Sequence, residues 1–267
     1  RADGTIAKGG GKVVKNVAGF DLPKLFTGSL GTLGVIVAAT FRLYPQAASS
    51  RSVAIYGRQA RPFCDLAVRI IGTTLVPSAL DITGTTRADE CMMAVRFEGS
   101  EDACEEQADA LLALATAPGM RGQVMAPDEE ANYWRGATFE LGAGNAAGTR
   151  VGLKVSVLPG DVADWLAALD EQAGRVGATA AWRAHAGHGL LSVTLVGDDA
   201  RLPPLIASLR AAAAARKGSL VVTSAPPALA AAIDPWGDSP ALGLMRRVKA
   251  QFDPHGTLNP GRFLGRI

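Results

Sequence analysis

The chain of 267 residues contains 31 Gly and 15 Pro, and its 27 Lys and Arg residues nearly balance 25 Asp and Glu, for a net charge of +2. With 48% hydrophobic and 19% charged residues, the composition excludes a disordered chain, and the charge balance favours neither nucleic acid nor an anionic membrane as a partner. Three cysteines without C-x-x-C spacing predict neither a disulfide framework nor a thiolate zinc site, so we expect reduced thiols in a cytoplasmic globular protein.

The chain begins with a glycine-rich loop system. Glycines recur at positions 4, 9, 10, 11, 19, 28, 31 and 34. The apolar segment 35–44 that follows predicts a buried strand, which ends at Pro45. Residues 46–51 are polar and typical of a linker. We therefore expect a domain boundary at this point.

The glycine spacing at the end of this loop system has two interpretations. Gly28, Gly31 and Gly34 recur at every third residue, which permits successive backbone N–H groups to point into one concavity. Ser29 and Thr32 add hydroxyl donors, so the loop could bind an anion. The same glycines also suit a compact loop that needs them only for its turns. The spacing leaves both open, because it matches neither the nucleotide phosphate loop nor the dinucleotide motif.

The regular part of the chain shows two rounds of strand, helix, strand, strand and helix. The first has strands at 52–56, 79–83 and 91–97 and helices at 61–71 and 101–117; the second has strands at 152–158, 178–184 and 189–196, helices at 161–176 and 201–216, and a last strand at 220–223. Such rounds predict paired ferredoxin-like units that form an antiparallel sheet with helices on one face. Residues 118–150 between them predict an irregular segment, and a helix at 241–252 precedes a turn-rich end.

Two stretches of sequence resemble a known family. Residues 16–36 read N-x-x-G-F-D-L-x-x-L-x-x-G-S-x-G-T-L-G-V-I, and residues 252–262 read F-D-P-x-G-x-L-N-P-G-R. In this order, near the two ends of the chain, they resemble the signatures of the vanillyl-alcohol-oxidase or PCMH-type FAD-linked oxidases. The first stretch, with the three glycines before it, is also similar to the FAD-binding subunits of bacterial glycolate oxidases.

The resemblance implies an α+β fold with three parts. Residues 1–46 would form the C-terminal half of a PCMH-type FAD-binding domain, residues 47–238 a ferredoxin-like antiparallel-sheet cap domain with two repeats, and residues 239–267 a segment that returns to the FAD domain. In the family, the flavin domain begins with an N-terminal half that carries its own pyrophosphate loop. Since the residues from Arg1 onward do not supply that half, we expect this chain to bind FAD weakly or not at all by itself.

The resemblance also implies roles for individual residues. Asn16, Gly19 and Asp21 would shape the loop before the flavin, and Asn259 would approach the isoalloxazine ring. The residues that would line the FAD phosphates and adenosine are Gly28, Ser29, Gly31, Thr32, Gly34 and Ile36. Leu30 stands where many relatives carry Glu, which removes a carboxylate but leaves the backbone role intact.

A histidine pair between two predicted strands is the candidate for chemistry. His185 and His188 could bind a metal, but the sequence supplies no further ligands nearby, so we predict no metal site. The segment resembles the H-x-G-D-G-N-x-H motif of the family's 2-hydroxy-acid dehydrogenases, with His185 at the first position. However, His188, Leu190 and Ser192 replace the Asp, the Asn and the second His. His185 is therefore either a catalytic base, since its ordinary pKa suits proton transfer near neutrality, or a structural turn residue.

The activity that the resemblance implies is FAD-dependent oxidation of a small 2-hydroxy acid, glycolate to glyoxylate. The chain would act as a subunit of a glycolate oxidase complex with a sister FAD subunit and an iron–sulfur subunit, through which it could sit at the inner membrane without inserting into it. The alternative is a non-catalytic electron-relay or scaffold subunit, which the altered histidine motif favours. A third possibility is a small-molecule binding module without redox activity.

Overall fold

The computed structural model describes residues 1–12, 19–86, 90–136 and 148–267. In chain order, its helices are α1 (Leu22–Phe26), α2 (Ala60–Ile71), α3 (Glu101–Leu114), α4 (Pro127–Gly136), α5 (Val162–Arg175), α6 (Leu202–Ala214), α7 (Pro227–Ala230) and α8 (Leu242–Phe252). Its strands are β1 (Ser49–Gly57), β2 (Ala79–Thr85), β3 (Cys91–Gly99), β4 (Arg121–Val124), β5 (Thr149–Ser156), β6 (Thr179–His185), β7 (Leu190–Gly197) and β8 (Ser219–Ser224). Across these described ranges, no helix has both the length and the apolar character that a bilayer crossing requires.

The chain divides into two compact units. Unit 1 consists of Arg1–Pro45 and Trp236–Ile267, and unit 2 is the continuous stretch Gln46–Pro235. Unit 1 thus joins the glycine-rich beginning of the chain to its turn-rich end. The assignment of these segments to a flavin domain and a cap domain stays a prediction.

Unit 2 is built on one antiparallel sheet of eight strands in the order β4-β1-β3-β2-β6-β7-β5-β8. Each half of the unit runs strand, helix, strand, strand, helix, strand, which is the ferredoxin-like succession. The halves meet where β2 pairs with β6, with Thr83 opposite Arg183. The predicted α+β class with ferredoxin-like repeats in an antiparallel sheet is confirmed.

The main core of unit 2 lies between this sheet and four helices. Alternate strand residues such as Val53, Ile55, Met93 and Val95 are fully buried against α2, α3, α5 and α6, as the period-2 pattern of a half-covered sheet requires. Trp165 of α5 is the largest fully buried side chain among the described residues. Each such side chain contributes roughly 1.5–3 kcal/mol of burial free energy.

The opposite face of the sheet carries a helix that the sequence analysis did not predict. Ala54 and Ala94 point away from the main core and form a second cluster with Met125, Tyr133 and Trp134. Since the two aromatic residues belong to α4, this helix covers β1 and β3 from the far side. The expectation of helices on one face only is therefore wrong for the first half of the sheet.

The irregular segment expected over residues 118–150 contains β4 and α4 in its described part. β4 is a short edge strand whose residues are all exposed, so it lacks the alternating apolar pattern that marks a strand. α4 starts with Pro127 followed by Asp128, Glu129 and Glu130, and both proline and acidic residues favour a helix N-terminus. The start of α4 is thus marked in the sequence itself.

In unit 1 the predicted buried strand at residues 35–44 is also wrong. The described residues of this segment form no strand, and Val37, Phe41 and Leu43 are each at least 80% exposed. An extended apolar segment becomes a strand only when another strand satisfies its backbone hydrogen bonds, and the described part of unit 1 offers it none.

Candidate functional site

The glycine loop of unit 1 turns through three residues with left-handed backbone. Gly28, Leu30 and Gly31 have φ values of +79°, +52° and +75°, a conformation that is easy for glycine and uncommon for leucine. Thr32 closes the loop, since its N–H and its hydroxyl both donate to the Ser29 carbonyl at 3.0 and 2.8 Å. Among the described residues, nothing accepts a hydrogen bond from the N–H groups of Gly28, Leu30 and Gly31. The loop therefore offers several backbone donors to a ligand.

The turn after α8 is organised by a buried carboxylate. Asp253, only 2% exposed, accepts hydrogen bonds from the N–H and hydroxyl of Thr257 at 3.0 and 2.9 Å and from the Leu258 N–H at 2.7 Å. Lys249 Nζ lies 2.5 Å from the same carboxylate. The lysine hydrogen bond, followed by these backbone and hydroxyl donors, holds the pKa of Asp253 well below its ordinary value.

Lys249 also connects this turn to the glycine loop. Its ammonium donates to the carbonyls of Thr32 and Leu258, both at 2.8 Å. Asn259 adds a second connection, because its Nδ2 donates to the Leu30 carbonyl at 2.7 Å. The two segments that resemble the family signatures are thus hydrogen-bonded to each other through one ammonium and one amide.

Two glycines permit this close approach. A β-carbon at Gly31 would lie 2.7 Å from Asn259 Nδ2, and one at Gly34 would overlap the Phe26 ring. The Phe26 ring itself packs edge-on against Phe252 with 5.3 Å between the ring centroids. The loop therefore needs glycine at these positions for packing as well as for backbone conformation.

A cavity of about 390 Å³ lies where the two segments meet. Its lining residues are Phe26, Ser29, Gly31, Gly34, Val35, Ile36, Thr257, Leu258 and Asn259. The volume falls within the roughly 300–1,000 Å³ that is typical of small-molecule sites. Gly28 and Thr32, which we also predicted to contact FAD, lie outside this lining, and the Thr32 hydroxyl is used within the loop.

The residues predicted to shape the start of the loop precede it in the sequence, and the described ones do not line the cavity. Gly19 is exposed with φ +84°. Asp21 is the N-cap of α1, since its carboxylate accepts from the Lys24 N–H at 3.3 Å, and its hydrogen bonds with Lys24 lower its pKa. Asn16 lies outside the described residues.

Lys249 and Asp253 were not among the predicted site residues. Asp253 stands inside the quoted F-D-P motif, and Lys249 precedes it by four residues, the spacing at which a lysine and an aspartate face each other on a helix. That spacing was the available signal. The role of Lys249 could not be derived from it, because the Thr32 carbonyl is 217 positions away in the sequence.

His185 lies in unit 2, at the end of β6. The β2–β6 ladder ends at the pair Ile82 and Ala184, so His185 adjoins it on one strand and Asp81, a buried residue, on the other. His185 Nδ1 pairs with Asp81 Oδ1, and Arg183 Nε lies 3.7 Å from the other carboxylate oxygen. The hydrogen bond to Asp81 raises the pKa of His185. The sequence analysis missed Asp81, which no motif marks.

The surroundings of this pair include α4. The Arg183 guanidinium lies 5.6 Å from the centre of the Tyr133 ring, within the range of a cation–π contact. Burial raises the pKa of Tyr133 to about 12, so this phenol stays protonated at neutral pH. His188 lies in the short 3₁₀ turn Ala186–His188, and the described residues contain no cluster of three or more groups suited to a metal ion.

Comparison with known proteins identifies relatives of the whole chain. The model of the family described as "FAD linked oxidases, C-terminal domain" matches residues 37–221 and 236–263. The chain is 23% identical over 295 residues to glycolate oxidase subunit GlcD of Bacillus subtilis, covering 99% of this chain and 62% of that protein. It is 26% identical over 285 residues to D-lactate dehydrogenase of Archaeoglobus fulgidus, covering 100% of this chain and 63% of that protein. The chain thus spans less than two thirds of these relatives.

Two further comparisons give a sequence match over part of the chain and a structural match to its fold. Over 92 residues the chain is 35% identical to glycolate oxidase subunit GlcE of Escherichia coli, covering 34% of this chain and 24% of that protein. A solved structure of alkyldihydroxyacetonephosphate synthase superposes with a TM-score of 0.60 at 12% identity, over 92% of this chain and 50% of that one. At that identity, the superposition establishes a shared fold.

Proposed function

Because the chain belongs to the family of FAD linked oxidases, C-terminal domain, we propose that it is part of an FAD-dependent enzyme that oxidises a small 2-hydroxy acid, glycolate to glyoxylate. The observation that carries this proposal is the cavity of unit 1, which the two flavin-type sequence segments enclose together. The relatives named glycolate oxidase subunit and D-lactate dehydrogenase support the substrate class.

The residues around the cavity fit a ligand with phosphates and an amide-rich ring. The Leu30 and Gly31 N–H groups and the Ser29 hydroxyl have no hydrogen-bond partner among the described residues, and such donors suit a pyrophosphate. The exposed Val35 and Ile36 add apolar lining. Ser29, Gly31, Gly34, Ile36 and Asn259 would thus hold FAD, with Lys249 and Asp253 fixing the turn that carries Asn259.

The chemistry divides between cofactor and protein. Bound FAD supplies the two-electron acceptor for the hydride that leaves the substrate α-carbon. The hydroxyl proton must also leave, and we propose that His185 takes it as general base. Its half-exposed ring and its pairing with Asp81 support this role. Together the two transfers convert the alcohol carbon to a carbonyl.

The exposed apolar segment of unit 1 supports the proposal that residues 1–46 form only half of a flavin domain. Val37, Phe41 and Leu43 offer an extended apolar edge to water, which a folded protein normally covers. We propose that another part of the flavoprotein pairs with this segment and completes the FAD site.

The alternative is a non-catalytic subunit that relays electrons or holds a complex together. The replaced residues of the histidine motif favour it. In either case we propose a sister FAD subunit and an iron–sulfur subunit as partners, as the sequence resemblance implies.

Substitution of His185 separates the two functions. In the protein expressed from its complete natural gene with its partner subunits, His185→Ala should lower glycolate turnover by roughly 10²- to 10⁴-fold, the usual contribution of a positioned base, while the flavin content stays unchanged. His188→Ala, in the same turn, is the matched control and should retain turnover. Unchanged turnover in His185→Ala would reject the catalytic role and favour the relay or scaffold subunit.

A further inference from the structure

A buried carboxylate and a half-exposed imidazole face each other across two strands of unit 2. Asp81 on β2 and His185 at the end of β6 directly adjoin Ile82 and Ala184, the last pair of the β2–β6 ladder, so the sheet holds the two residues side by side. The Asp81 side chain is 3% exposed, whereas that of His185 is 49% exposed. One end of this pair is thus rigid and protected, and the other reaches solvent.

The pairing uses only one of the two ring nitrogens. Nδ1 pairs with Asp81 Oδ1, and a carboxylate can only accept a hydrogen bond. In the neutral imidazole the proton must therefore reside on Nδ1, which leaves the Nε2 lone pair free to accept a proton. We infer that Asp81 is a positioning residue that orients His185 through Nδ1 and makes Nε2 its proton-accepting atom.

Arg183 and Tyr133 also face this pair. Arg183, from β6, lies 3.7 Å from the carboxylate. Tyr133, from α4, remains a neutral phenol and adds no opposing charge. The hydrogen bond to Asp81 raises the pKa of His185, against the opposing effect of burial and of Arg183.

This inference rests on the proposed function only for the identity of the proton donor. There, Nε2 would take the proton of the substrate hydroxyl and become the imidazolium, and bound FAD would supply the acceptor for the hydride that leaves the α-carbon. The orientation of the ring itself is a property of unit 2, so it can be measured without flavin or substrate.

The tautomer of His185 is the first test. In the ¹⁵N-labelled 267-residue chain, the ring nitrogen shifts above the histidine pKa should show a protonated Nδ1 and an unprotonated Nε2. His188 and His255 supply internal reference signals. A neutral His185 ring that carries its proton on Nε2 would overturn the inference, and this measurement needs no variant that has to fold.

Removal of the carboxylate charge is the second test. Asp81→Asn should lower the pKa of His185 in the same titration, because the amide no longer stabilises the imidazolium. Asp164→Asn, which removes the charge of an exposed ion pair between α2 and α5 in the same unit, is the matched control and should leave the His185 titration unchanged. An identical His185 titration in Asp81→Asn and the unsubstituted chain would contradict the inference.

The pH profile of the enzyme tests the same pair during turnover. Since only neutral His185 accepts a proton, kcat/KM should rise with pH through the raised pKa of His185, and Asp81→Asn should move this acidic limb to lower pH. Asp81→Ala should lower kcat by roughly tenfold or more, part of the 10²- to 10⁴-fold effect of a general base. An unsubstituted enzyme without activity would reject the proposed function, whereas the nitrogen shifts would still decide the role of Asp81.

Discussion

At the residue scale, Gly31 links the glycine loop to the closing turn of unit 1. Its φ of +75° suits glycine, and an added β-carbon would lie 2.7 Å from Asn259 Nδ2. We expect Gly31→Ala to displace Asn259 and to destabilise unit 1 by about 1–3 kcal/mol, measured by denaturant unfolding of the chain. In the protein expressed from its complete gene, the FAD dissociation constant should rise by roughly tenfold, the equivalent of ~1.4 kcal/mol.

The matched control for this substitution is Gly243→Ala. Gly243 lies in α8 of the same unit and has open space around its α-carbon, so alanine there should be neutral or slightly stabilising. Equal stability and equal FAD affinity of the Gly31→Ala and Gly243→Ala variants would show that the loop and turn do not depend on their close approach.

Asp253 gives a pH-dependent prediction at the same scale. Its pKa is lower in the folded chain than in the unfolded one, so its ionised form favours folding. That contribution is complete above the ordinary aspartate pKa of about 3.9 and is lost as pH falls through that value toward the lowered folded pKa. The unfolding midpoints of the original chain and Asp253→Asn should therefore differ most above about pH 5 and draw together progressively as pH falls below the ordinary aspartate pKa toward the lowered folded one. A difference that is independent of pH would exclude an ionised Asp253 as the cause.

Some residues of the candidate site can be identified from sequence motifs, and others become recognisable only in the folded structure. Ser29 and Asn259 stand in motifs and were named from them, and the structure places both at one cavity. Lys249 and Asp81 belong to no motif that marked them, because their partners Thr32 and His185 become neighbours only through folding. A motif records local spacing, whereas a hydrogen bond between distant segments requires the fold.

At the element scale, α4 is attached to the sheet by a hydrogen bond that can be removed singly. Trp134 Nε1 donates to the buried Ser52 hydroxyl of β1 at 2.8 Å. Ser52→Ala leaves the indole N–H without its partner, and we expect a loss of about 1–2 kcal/mol in the free energy of unfolding. Ser50→Ala, on the same face of β1, should have a much smaller effect. Equal losses in both variants would mean that this bond does not hold α4 in place.

In unit 2, the elements predicted correctly from sequence are those with a buried apolar face. Val53 and Ile55 alternate with less apolar neighbours, and the helices of the main core carry their apolar residues on one side, so periodicity identifies them. β4 lies at the exposed edge and has no such pattern. The segment 35–44 has the opposite property, a strongly apolar sequence without a neighbouring strand in the described residues, which is why its composition alone was misleading.

At the scale of the whole molecule, the sequence predicted two similar repeats but not how they join. In principle β2 of the first repeat and the equivalent strand β6 of the second could each have been an exposed edge strand. In the structure β2 and β6 pair instead and make one continuous sheet, which removes two exposed edges at once. This junction also brings Asp81 opposite His185, so the candidate proton-transfer pair is a product of the repeat arrangement.

The two parts of the proposed chemistry lie in different units. The cavity with its backbone donors belongs to unit 1 and the Asp81–His185 pair to unit 2. We propose that cofactor binding and proton acceptance are separate tasks of these units, and substitutions in the two units should therefore have separable effects. Gly31→Ala should act on FAD affinity, whereas His185→Ala should act on turnover of the loaded enzyme.

The most direct test of the proposed function is anaerobic reduction of the flavin by substrate. The protein from the complete natural gene, loaded with FAD, is mixed without oxygen with glycolate or D-lactate, and the visible absorption of the oxidised flavin is followed. If the protein oxidises 2-hydroxy acids with FAD, this absorption bleaches while the corresponding 2-oxo acid appears in an amount equal to the flavin reduced. An FAD-loaded protein that keeps its oxidised spectrum with every 2-hydroxy acid tested would contradict the proposed function.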